Sequence, residues 1–82
     1  MDSHARASIN LDVIAANVAA VRERVAPTAV MAVVKAGGYG HGAVPAARAA
    51  VRGGADWLGV VHVAEALELR EAGIDSPLLC LM

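Results

Sequence analysis

Two junctions in this chain are spelled the same way. Gly54-Ala55-Asp56 and Gly73-Ile74-Asp75 each set a glycine, an apolar residue and an aspartate between a helix-like stretch and a short apolar run. A glycine just past the last helical residue takes the left-handed conformation that ends a helix, and the apolar residue after it plugs the helix end against the core. A unit repeated in this way predicts alternating helices and strands with short connections. Parallel strands joined by right-handed crossovers follow, and therefore either a (β/α) barrel or a doubly wound sheet.

The rest of the chain fits that alternation. Leu11, Ile14, Val18, Val21 and Val25 recur at intervals of three and four, marking one face of a helix that starts at an N-cap on Asn10 or Asp12 and ends near residue 25. Residues 1–8 carry no pattern and read as a loose arm, or as an extended lead-in over 7–9. Arg22, Glu23 and Arg24 form the solvated side, and Ala26-Pro27-Thr28 stops the helix. The first strand is predicted over 29–35; its run 30–34 is continuously apolar and rich in β-branched residues, which suits burial on both faces. Pro45 fits the first turn of a second helix that runs to Gly53-Gly54, with Arg48 and Arg52 on its outer face. A strand over 57–62, a helix over 63–72 and a strand over 77–81 complete the order α-β-α-β-α-β.

Composition sets the scale. The 82 residues make one domain at most, and 57% hydrophobic content with 2% aromatics describes a core of Ala, Val and Leu. A net charge of −1 with scattered arginines leaves no footprint for nucleic acid and none for a membrane surface. The opening residues lack an apolar signal segment, and no apolar run approaches the ~18 residues of a spanning helix, so the chain reads as cytoplasmic. Cys80 has no intrachain partner and reads as a small buried hydrophobe among leucines.

Chemistry concentrates after the first strand. Lys35 is the only lysine, placed where the apolar run meets Gly37-Gly38-Tyr39-Gly40-His41-Gly42. The C-terminal ends of strands carry the ligand in parallel α/β folds, because the loops beyond them form the mouth of the site. An amine in partly apolar surroundings is available as a nucleophile toward a carbonyl, and Schiff-base formation is its natural use. The blander reading is a strand-end lysine in water followed by a flexible turn. Gly38-x-Gly40-x-x-Ala43 also fits a loose dinucleotide fingerprint, but the end of the second strand, Val61-His62-Val63, lacks the acidic residue that would hold a ribose. The Walker pattern fails because the lysine precedes the glycines. His4 falls in the arm, and His41 and His62 lack the carboxylate or cysteine company of a metal site, so no metal is expected. His62 ends a strand on the side of Lys35, and Tyr39 offers a phenol to an anionic group.

These residues resemble the N-terminal barrel of the bacterial alanine racemases. Ala32-Val33-Val34-Lys35-Ala36, two further residues and Tyr39-Gly40-His41-Gly42 match that family's hallmark, and Gly54-Ala55-Asp56, Glu65-Ala66-Leu67, Leu69-Arg70 and Gly73-Ile74 continue in register. The resemblance implies the first three units of a (β/α)8 TIM-like barrel that binds pyridoxal 5'-phosphate. It implies racemisation of L- and D-alanine for cell-wall precursors, in a homodimer. It makes Lys35 the residue that binds the cofactor covalently and one of two bases that move the α-proton. Tyr39 matches the tyrosine at the cofactor phosphate, and Leu81 the third-strand residue beside the cofactor. Val33, two residues before Lys35, shares its strand face and is expected to line the same interior. Gly37-Gly38 stands where the family usually has Asn- or Asp-Ala, and Asn10 where it usually has aspartate. A complete barrel takes ~250 residues, and the family adds a β-rich C-terminal domain that contributes the opposing tyrosine base. Residues 1–82 are therefore expected to be the N-terminal part of the barrel domain, cut after the third strand and without the C-terminal domain. A non-catalytic remnant of such an enzyme, or a barrel acting on another amino acid such as serine, are the alternative readings.

Overall fold

The computed structural model describes residues 3–35 and 42–81, with side chains from residue 10 onward. Its elements are α1 (Ser3–Val25), β1 (Met31–Val33), α2 (Ala43–Arg52), β2 (Trp57–Val60), α3 (Val63–Glu71) and β3 (Leu78–Cys80). The three strands are parallel in the order β1-β2-β3. Met31, Ala32 and Val33 pair with Trp57, Leu58 and Gly59, and Leu58, Gly59 and Val60 with Leu78, Leu79 and Cys80.

Both repeated junctions have the hydrogen bonds of a Schellman motif. The Gly54 N–H donates to Val51 O and the Ala55 N–H to Ala50 O; the Gly73 N–H donates to Arg70 O and the Ile74 N–H to Leu69 O. Gly54 and Gly73 adopt φ of 105° and 85°, the left-handed region that an L side chain resists. The aspartates that follow differ. Asp75 is exposed, whereas Asp56 Oδ1 accepts from Arg22 Nη1 at 2.8 Å and its Oδ2 accepts from the Val30 N–H at 2.8 Å. The Arg22 guanidinium, and after it the Val30 N–H, hold the Asp56 carboxyl below the ordinary carboxylate value. Arg22 also donates to Gly54 O at 2.7 Å. It is thus a clamp from α1 to the α2–β2 turn, and more than a solvated charge.

The core lies on one face of the sheet. Val34, Leu58 and Val60 pack against Ala43, Ala46, Ala47 and Ala50 of α2 and Leu69 of α3, with Ile74 closing the end. Full burial of Leu58 and Leu69 contributes about 1.5–3 kcal/mol each before entropy is counted. The alanines let α2 approach both the sheet and α1. The opposite face is open: Met31, Val33, Trp57, Leu79 and Leu81 are exposed. Helices on one side only, with strands added in chain order, make an arc of a barrel rather than a doubly wound sheet.

Four expectations change. β1 is buried on one face rather than two, because no element covers Met31 and Val33 among the described residues. Helix α1 begins at Ser3, which makes Asn10 and Asp12 interior residues instead of caps and places His4 in a helix rather than an arm. Asp12 accepts from Arg52 Nη2 at 3.0 Å. The face of α1 is used only in part: Ile14 and Val18 pack on the core, while Val21 and Val25 are exposed. Cys80 is half-buried, and its thiol points at Val61 O from 3.7 Å. Among the described residues, no helix is long and apolar enough to cross a membrane.

Candidate functional site at the C-terminal edge of the sheet

Beyond the last ladder residues the register is carried on by two backbone bonds. The Val34 N–H donates to Gly59 O at 2.7 Å, and the Leu81 N–H donates to Val60 O at 2.7 Å. In a parallel ladder these bonds align Val34 with Val60 and Leu81 with Val61. One step further, Lys35 falls level with Val61. Lys35, Val61 and Leu81 therefore form a row across the three strands, and alternation places all three on the open face. All are exposed, Leu81 at 48%.

The row beneath is Val33, Gly59 and Leu79, in register and on the same face. Val33 is 50% exposed, so it shares the face of Lys35. Gly59 leaves a gap between its neighbours, partly filled by Met31, whose Sδ lies 3.0 Å from where a Cβ would stand. The result is an apolar floor with an amine at one end. Lys35 forms no salt bridge among the described residues. Lys35 also borders a pocket lined by Ile14, Asn17 and Val18 of α1 and Ala46 and Ala50 of α2.

His62 follows Val61 at the rim, exposed, and is the N-cap of α3. Its N–H donates to Glu65 Oε1 at 3.0 Å, and the Glu65 N–H donates back to His62 O at 3.0 Å. This reciprocal cap fixes the path by which the chain leaves β2. A glutamate three residues after the cap position was a legible signal, although a histidine at the cap obscured it. Tyr39 and His41 lie outside the described residues.

The arrangement sets the Lys35 amine beside the apolar side chains of Val33, Val61 and Leu81 on one face of the sheet, so that a nucleophilic nitrogen and an apolar floor stand together. A match to the family model described as "Alanine racemase, N-terminal domain" runs over residues 9–82. The chain belongs to the alanine racemase family. The alanine racemase of Thermobifida fusca (strain YX) is 62% identical over 79 residues, spanning 96% of this chain and 21% of that protein. The crystal structure of alanine racemase from E. faecalis superposes with a TM-score of 0.81 at 49% identity, covering 88% of this chain and 20% of that one. That of alanine racemase from D-cycloserine producing Streptomyces lavendulae gives 0.78 at 57%, covering 85% and 18%. The chain thus spans about a fifth of the length of the racemases it matches. The likeness read from residues 32–36 and 39–42 holds for nearly the whole chain, and the arc of parallel strands is the one these racemases share.

Proposed function

We propose that residues 1–82 act as the N-terminal part of the barrel domain of a pyridoxal-phosphate-dependent alanine racemase, with Lys35 as the residue that holds the cofactor and carries a proton. The observation that carries the reading is the position of the chain's only lysine, at the C-terminal edge of β1 in one row with Val61 and Leu81. The residues present fit the cofactor. The Lys35 amine has no salt-bridge partner among the described residues, apolar Val33, Val61 and Leu81 share its face, and Gly59 keeps the floor low.

When bound, pyridoxal phosphate supplies the electron sink that lets an amino acid lose its α-hydrogen as a proton. Lys35 anchors through Nζ. When not engaged in holding the group, the same Nζ would take or return a substrate α-proton on its own side. Val33 and Leu81 line the floor and one end of the row, and Tyr39 is the candidate phosphate contact. The opposing proton carrier, a tyrosine by family resemblance, belongs to sequence outside this chain. Homodimer formation, a cytoplasmic location and supply of D-alanine for the cell wall go with this proposal.

The test is direct because one lysine serves the whole segment. In the complete racemase, Lys35→Ala is expected to lose the visible absorbance of the bound cofactor and nearly all racemisation. Lys35→Arg should fail equally, since a guanidinium stays protonated and forms no imine. Borohydride reduction of the holoenzyme should leave the pyridoxyl label on Lys35 in a peptide map. Undiminished turnover in Lys35→Ala, or a label elsewhere, would refute the assignment.

A further inference from the structure

Glu65 is the one charged side chain buried among the described residues, 7% exposed, although it is only the third residue of α3. Here Oε1 accepts the His62 N–H at 3.0 Å, and Oε2 has no hydrogen-bond partner among the described residues. Burial of an ionised carboxylate is costly unless its lone pairs are all occupied. Capping α3 requires no such burial, so the benefit lies elsewhere.

It lies in the segment leaving β2. Val61 is tied from the β3 side, where the Leu81 N–H donates to Val60 O at 2.7 Å and the Cys80 thiol reaches Val61 O at 3.7 Å. From the α3 side, the Glu65 carboxylate holds the next N–H along. A charged acceptor binds an N–H roughly twice as strongly as a neutral one, and partial burial of this bond reduces competition from water.

We infer that Glu65 is a positioning residue for the Lys35 site: through the His62 N–H its buried carboxylate sets Val61 in the row Lys35–Val61–Leu81, and so the seat of the ring that Lys35 anchors. The inference rests on the reading of Lys35 given above. It has a signature that a simple helix cap lacks. Glu65→Gln keeps the shape and the acceptor but removes the charge, which relieves the cost of burial while loosening the rim. Stability and ligand seating should therefore move in opposite directions.

In the complete racemase, E65Q is expected to melt at or above the wild-type temperature. Its dissociation constant for pyridoxal phosphate, read by absorbance titration of the apoenzyme, should rise about tenfold, the factor that ~1.4 kcal/mol of weakened seating gives. E65A should lose on both measures. An E65Q enzyme with an unchanged cofactor dissociation constant and unchanged KM makes Glu65 a cap only and overturns the inference; so does one that melts lower while binding the cofactor normally. Lys35→Ala, run alongside, separates the two layers of argument. If that variant keeps the cofactor absorbance, the assignment of Lys35 has failed, and the inference about Glu65 falls with it.

Discussion

Substituting alanine for Gly53 sets two effects against each other. Gly53 closes α2 with φ −75° and ψ −10°, an ordinary helical conformation, so alanine would fit the backbone and, by restricting the unfolded chain, stabilise by about 0.4–1 kcal/mol. The added Cβ, however, would stand 3.0 Å from both the carbonyl carbon and the Cα of Ala15 in α1, and closer still to the Ala15 carbonyl oxygen. Ordinary contact begins at 3.4 Å, and the obstacle is backbone with no rotamer to turn aside. To clear the oxygen, α1 and α2 must part by on the order of an ångström, an overpacking that costs about 1–3 kcal/mol. Sterics win, with a net loss of about 1–2 kcal/mol, or a factor of roughly 5–30 in the local opening equilibrium. Hydrogen exchange of the α1 and α2 peptides reads that factor directly. Amide protection in G53A equal to or greater than wild type would show that α1 is not held against α2 in this way.

Gly59→Ala should be tolerated, changing stability by less than about 1 kcal/mol, because its nearest neighbour is the Met31 thioether, a flexible end that swings aside; a melting curve displaced by many degrees would contradict this. The depressed pKa of Asp56 means that the unfolded chain binds the proton more readily. Stability from this group is complete above the ordinary carboxylate value of about 3.9 and is lost as pH falls through the lower folded value. Acid titration of unfolding should therefore lose part of its slope below pH 4 in Asp56→Asn, and an unchanged profile would remove Asp56 from the account. Expressed alone, the 82-residue chain should associate through its open face and two free sheet edges; light scattering that finds a soluble, cooperatively melting monomer would refute this.

The order of elements was legible because helix periodicity, proline stops and glycine junctions are local. Pro27 ended α1 after Val25, and Gly54 and Gly73 ended their helices as their spelling required. Lys35 was legible as a candidate site because a single lysine behind a β-branched run is conspicuous against a background of arginines. Burial was harder. A continuous apolar run says that water is excluded somewhere, but not which face of β1 this chain itself covers, so Met31 and Val33 were assigned to a two-sided core that the described residues do not form. Long-range polar pairs left no trace in sequence: Arg22 looked like any solvated helix charge until Asp56, 34 positions away, stood beside it. Asp12 looked like a cap because a carboxylate near a helix start is ambiguous until the start itself is placed.

Trp57, the chain's only tryptophan, begins β2 opposite Met31 and lies 41% exposed on the uncovered face. Its indole sees water across the open side of the sheet and none of the alanine-lined helical core. Emission from this protein is consequently a one-sided gauge. It should sit at long wavelength while that face is bare, shift to the blue when another surface closes over it, and stay silent when α1 or α2 loosens from behind. A fluorometer can thus follow the covering of the sheet as an event separate from the folding of the helices, with no label added.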